Sequence, residues 1–146
     1  MANSFSDDNR KHLEFIQGVI NRLSSNTFLF KGWSITIIVA VFSAMITTSN
    51  YDLVWVLFGA IIVFWFIDAY YLMLERAYRS LYNEVVNSNT KIVTYSMAIK
   101  EYIGLRMWFR ALTRPVLLMF YGSILFVVLF IIISNYRIII NIEGIK

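Results

Sequence analysis

The sequence predicts an all-α membrane protein: three transmembrane helices, an N-terminal amphipathic helix ahead of them, and a helical cytoplasmic loop between the second and third. Three observations predict it. Of the 146 residues 59% are apolar and only 15% charged, against roughly 25% charged in a soluble domain. Three runs are long and apolar enough to cross a bilayer, which takes about 20 residues. Lysine and arginine are also distributed unevenly between the flanks of those runs. A chain of this size and composition is expected to be one membrane domain rather than a two-domain enzyme or a repeat array.

The first element is an amphipathic helix over 8–26. At about 100° per residue, Leu13, Ile16, Val19, Ile20 and Leu23 share a face, and Glu14, Gln17, Asn21 and Ser25 lie opposite. Ser6, Asp7 and Asp8 supply caps and the negative charge that a helix start favours. Ser24-Ser25-Asn26 offers a bend, although a continuous helix fits as well. The helix is expected either to lie at the membrane surface against the loop or to bind a partner.

The first span covers 27–47. Its apolar centre is Trp33–Thr47, and the extension back to Thr27 includes Lys31, whose stem can snorkel to the headgroups. The turn Thr48-Ser49-Asn50-Tyr51-Asp52 leads into the second span, 53–74. No breaker follows until Asn87-Ser88-Asn89, so that helix should continue to about residue 86. Glu75 and Arg79 stand four apart in the favourable order for an ion pair. The segment 91–113 is expected to be cytoplasmic or interfacial. Within it 91–96 is ambiguous between strand and helix, and 97–112 reads as a helix with Met97, Leu105, Trp108, Phe109 and Leu112 on one side. The third span, 115–134, opens with Pro115, which suits a first helical turn. An outer tail, 135–146, remains.

Orientation follows from the basic residues. Residues 1–31 carry four, the 48–52 turn none, residues 75–114 seven and the tail two. By the positive-inside rule the N-terminus and the 75–114 loop are cytoplasmic, and the turn and C-terminus lie outside. No cleavable signal is evident, so the first span is expected to be an anchor.

Catalytic, cofactor and metal sites are not expected. Cysteine is absent and His12 is the single histidine; no nucleotide-binding, metalloprotease or nucleophile-elbow motif occurs. The net charge of +4 fits topology and anionic lipid rather than nucleic acid. The expected partners are the lipid bilayer, further copies of the chain and a cytoplasmic protein.

Asp68 is the most informative residue. It lies about 24 Å along the second span at about 1.5 Å per residue, and an acid at that depth needs hydration or a partner. Lys31 and Arg76 are the expected cationic partners, with Tyr71 and Tyr70 as donors. The bland reading is an interfacial, partly hydrated pair that locks two helices; the alternative is an ion path or gate. Gly32, Thr36, Ala40, Ala44 and Thr48 recur every four residues and form a small-residue ridge, which either packs on the second span or joins copies into an oligomer; a polar pore lining is the lesser alternative, because only this span offers repeated hydroxyls. Trp33, Trp55, Trp65 and Trp108, with Tyr51, Tyr70, Tyr71 and Tyr121, read as interfacial belts.

Leu13-Glu14-Phe15-Ile16-Gln17-Gly18-Val19-Ile20-Asn21-Arg22, Asn26-Thr27-Phe28, Lys31-Gly32-Trp33, Asp68-Ala69-Tyr70-Tyr71-Leu72, Glu75-Arg76 and Arg79-Ser80-Leu81-Tyr82 resemble a group of short bacterial membrane proteins associated with anti-phage defence gene neighbourhoods. The resemblance spans residues 12–82. It implies a bacterial inner-membrane location and a defence effector, and it carries no functional residues with it. The expected function is therefore a small oligomeric inner-membrane protein that perturbs the membrane or forms a pore. The alternative is a non-conducting anchor or accessory subunit that holds a soluble cytoplasmic partner.

Overall fold

A computed structural model describes residues 7–87 and 95–143, with side chains described up to residue 133. The described residues form four α-helices: α1 (Asp7–Thr48), α2 (Leu53–Asn87), α3 (Leu105–Leu112) and α4 (Pro115–Glu143). A 3-10 turn, Lys100–Tyr102, precedes α3. Helices α1, α2 and α4 are each long and apolar enough to cross a membrane. The protein is an all-α membrane protein.

Helix α1 passes through Ser24-Ser25-Asn26 without a bend, so the amphipathic helix and the first span are one rod of 42 residues. Its inward stripe explains the continuity. His12, Ile16, Ile20 and Leu23 below the three polar residues, and Ser34, Ile38 and Met45 above them, are all buried. The steps between them keep to a helical period across the junction. Helix α1 ends at Thr48, and the positive φ of 52° at Ser49 turns the chain out of the helix. The Asn50 carboxamide then accepts a bond from the Asp52 N–H at 3.1 Å, and the Leu53 N–H donates to Asn50 O at 3.4 Å. These contacts close a tight antiparallel hairpin.

Helix α2 meets its neighbours along one row. Leu57, Ile61, Ala69, Met73, Ala77, Leu81 and Val85 are buried at four-residue spacing, with half-buried Trp65 completing the row. Ala69 and Ala77, 0% and 2% exposed, let a partner backbone come close. Two apolar clusters result. One joins Ile38, Leu57, Ile61, Ala69, Leu117, Tyr121 and Val128 within the spans. The other joins Ile16, Ile20, Leu81 and Val85, with Met97, Ile99 and Tyr102 against them, at the polar end. The N-terminal part of α1 therefore rests on the extension of α2. Arg10, Lys11 and Arg22 thereby share one end of the bundle with Arg76, Arg79 and the basic residues of α3.

The connector differs from the sequence expectation. Residues 95–99 carry no regular structure, and the helix expected over 97–112 begins only at Leu105. Ile103 (φ −115°, ψ 147°) and Gly104 (φ 168°, ψ 165°) are extended, which interrupts the helical ladder, and the Trp108 N–H restarts it on Gly104 O at 2.9 Å. The ambiguity over 91–96 falls mostly on 91–94, outside the described residues. Helix α4 continues beyond Ser134 to Glu143, through most of the stretch expected as a tail.

Candidate functional site

The site grows from the cost of a carboxylate in an apolar span. Asp68 is 0% exposed. Lys31 Nζ, carried on α1, donates to Asp68 Oδ2 at 2.5 Å. Tyr121 of α4 donates its hydroxyl to the same oxygen at 3.3 Å. One carboxylate oxygen thus ties together all three long helices. Asp68 Oδ1 is buried with no partner among the described residues, so the carboxylate keeps an unused acceptor. The Lys31 ammonium also lies 5.8 Å from the Phe120 ring centroid, where the ring face adds modest attraction. Ser34 is buried one turn further along and donates to Lys31 O at 2.8 Å.

Aromatic side chains hold this centre in place. The Tyr121 ring stacks on Trp65 at 5.9 Å with 14° between planes. The Trp65 indole donates to Leu112 O at 3.2 Å, which satisfies a carbonyl left open at the end of α3. In return the Trp108 indole of α3 donates to Phe66 O on α2 at 3.4 Å. These reciprocal indole bonds clamp α3 against α2. Trp65, Trp108 and Tyr121, read from the sequence as belt residues, also brace α2 against α3 and α4; Trp33 and Trp55 are exposed, at 67% and 76%.

The expected partners of Asp68 divide. Lys31 is its partner. Arg76 is not; it lies two turns further along α2, in a hollow shared with Arg110 and Arg114. Partial burial, and then the charge of Arg114, lower the pKa of Arg76. Tyr71 packs against Phe30 in a tilted pair, with ring centroids 4.9 Å apart, and Tyr70 is 49% exposed, so neither replaces Tyr121. Glu75 and Arg79 pair at 2.6 Å, a local helix contact of small energetic weight. The pair at Asp68 is also drier than an interfacial, partly hydrated one, because the carboxylate has no exposure at all.

A depth count would have found Tyr121. Asp68 stands six residues inside the polar end of its apolar run, from 74 to 68, and Tyr121 six residues inside the same end of the next, from 115 to 121.

The small-residue ridge faces outward. Gly32, Thr36, Ala40, Ala44 and Thr48 are all exposed, on the side of α1 opposite buried Ser34, Ile38 and Met45. The Thr36 and Thr48 hydroxyls bond to Gly32 O and Ala44 O of the same helix, at 3.0 and 2.8 Å. The ridge therefore presents small side chains with their hydroxyls already satisfied, and it does not pack on the second span. The buried four-residue row is that of α2.

Among the described residues no group of three or more His, Asp or Glu is placed to hold a metal ion. No family model matches the chain, and neither a curated protein nor a solved structure does.

Proposed function

We propose that this protein is a small self-associating inner-membrane protein of bacteria that acts on the membrane itself, as a perturbing or pore-forming effector of anti-phage defence. The observation that carries the self-association is the outward position of Gly32, Thr36, Ala40, Ala44 and Thr48. In hydrocarbon, helices associate through close packing rather than hydrophobic contrast, and small residues permit the closest approach. Copies meeting along this ridge would bring α1 helices together and leave Lys31–Asp68 as an internal brace of each copy. The bacterial location and the defence role rest on the resemblance over residues 12–82. The orientation, with the N-terminus cytoplasmic and the C-terminus outside, rests on the Lys and Arg distribution.

A non-conducting anchor is the second reading, and one observation favours it. At the polar end, His12, Phe15, Val19, Tyr95 and Met97 line a largely apolar hollow of about 480 Å³, a size that admits side chains of a soluble partner. Membrane potential recorded after induced expression separates the two. Loss of potential with the native chain, and its retention when Ala40 and Ala44 are both changed to Leu, supports the effector. Unchanged potential with the native chain, at full expression, assigns the anchor role.

A further inference from the structure

Where α2 leaves the spans and α4 enters them, arginines from two helices and the α3–α4 junction converge on one hollow. Arg76 of α2, Arg110 of α3 and Arg114, which immediately precedes α4, line a cavity of about 250 Å³ together with Ser80. Among the described residues none of the three makes an ion pair, and Glu101 is the single acid lining the cavity. Of the acids on the α2 extension, Glu75 holds Arg79, and Glu84 accepts the Tyr102 hydroxyl. Arg114 Nε is buried without a hydrogen-bond partner.

The position adds to the imbalance. Leu118 N–H donates to Arg114 O at 2.9 Å, so Arg114 caps the N-terminus of a 29-residue helix that has no acid in its first turn. The partial positive charge of a helix start makes that a poor place for a cation and a good one for an anion. Desolvation and the charges of Arg114 and Arg79 act against the protonated form of Arg76, and the charge of Glu75 favours it; the arginines of the cluster repel one another. Three guanidinium groups and the Ser80 hydroxyl are donors that phosphate oxygens accept from. The hollow also lies at headgroup depth: Arg76 follows the apolar run by two residues, and Arg114 directly precedes Pro115.

We propose that Arg76, Arg110 and Arg114 form a binding site for a phosphate group, presented either by an anionic lipid headgroup or by a soluble phosphate. Such an anion would offset the repulsion and fasten α3 to the starts of α4 and the α2 extension.

The test uses the full chain in nanodiscs. One arm compares phosphatidylcholine discs with discs containing phosphatidylglycerol, reading lipid retained in native mass spectrometry and thermal unfolding. The second titrates inorganic phosphate into phosphatidylcholine discs. Arg76 and Arg110 are exposed, so R76Q and R110Q should leave the fold intact. R22Q removes an equal charge from an exposed position on α1 outside the hollow. If the site takes lipid, phosphatidylglycerol is retained and raises the unfolding temperature, and R76Q and R110Q each weaken retention about tenfold, while R22Q leaves it unchanged. If the site takes a soluble anion, the phosphate titration gives the same pattern across the variants. Equal effects of R22Q and R76Q, or no response to either anion, would overturn the proposal.

Discussion

Lys31 and Asp68, 37 positions apart in the chain, meet at 2.5 Å across α1 and α2, and the two residues differ in their freedom to escape. The Lys31 side chain is 20% exposed and that of Asp68 is 0%. The lysine stem can swing towards the headgroups if its partner is lost; the aspartate has no such route. Removal of the two partners should therefore have unequal costs.

K31M should be the more damaging change, lowering stability by about 3–5 kcal/mol because it strands a buried carboxylate. D68N should cost less, about 1–3 kcal/mol, since Lys31 can rehydrate and the amide keeps the hydrogen bond from Tyr121. The double variant should be no worse than K31M alone. Unfolding in mixed micelles measures all three. Equal single effects that add in the double would show the two groups to be uncoupled. Normal stability of D68N together with lost depolarisation would instead make Asp68 a gate.

Y121F removes one neutral donor to the carboxylate and keeps the ring on Trp65, so about 1 kcal/mol should be lost. Y121A also empties the space beside Trp65 and Phe120 and should cost about 3–5 kcal/mol. A phenylalanine variant as unstable as the alanine one would contradict the assignment of most of the energy to packing.

Two pairs of alanines on adjacent helices should respond in opposite ways. Ala40 and Ala44 face outward, so changing both to Leu should leave unfolding stability unchanged and weaken crosslinked oligomers. Ala69 and Ala77 are buried, and either one changed to Leu should overpack the contacts of α2 at about 1–3 kcal/mol. Oligomers that survive A40L/A44L would remove the ridge from the interface.

The chain has no cysteine, so single cysteines report threading directly. Asn50 and Asn87 are both exposed at opposite ends of α2. In intact cells N50C should react with an impermeant reagent and N87C should not. The reverse pattern would invert the topology drawn from the basic residues.

Tyr102 supplies a pH test outside the spans. Its hydrogen bond to the Glu84 carboxylate raises the phenol above its usual value near 10, with some desolvation and the charge of Glu84 adding to the shift. Because the folded-state value is raised, the contact is intact below the usual phenol value and is lost as pH climbs through the higher one. Tyrosine-labelled NMR should show Tyr102 ionising at higher pH in the native chain than in E84Q. Identical titrations would show that the bond does not hold the connector in solution.

The sequence by itself determined the three spans, the helical extension beyond the second, and Lys31 as a partner for Asp68. Each follows from a local and large energy: about 20 apolar residues demand a bilayer, and an acid inside one demands a cation or water. Only the tertiary structure decided which side of each helix turns inward. Along the spans lipid is as apolar as protein, so no hydrophobic contrast marks the buried face. The small-residue row of α1 therefore read as a surface for packing on the second span or for joining copies, whereas the four-residue row that is buried is one on α2. The choice of Tyr121 over Tyr71, and the separation of Arg76 from Asp68, depend on how α4 and α3 approach α2. That approach is set by Trp65 and Trp108, through contacts between residues more than 40 positions apart.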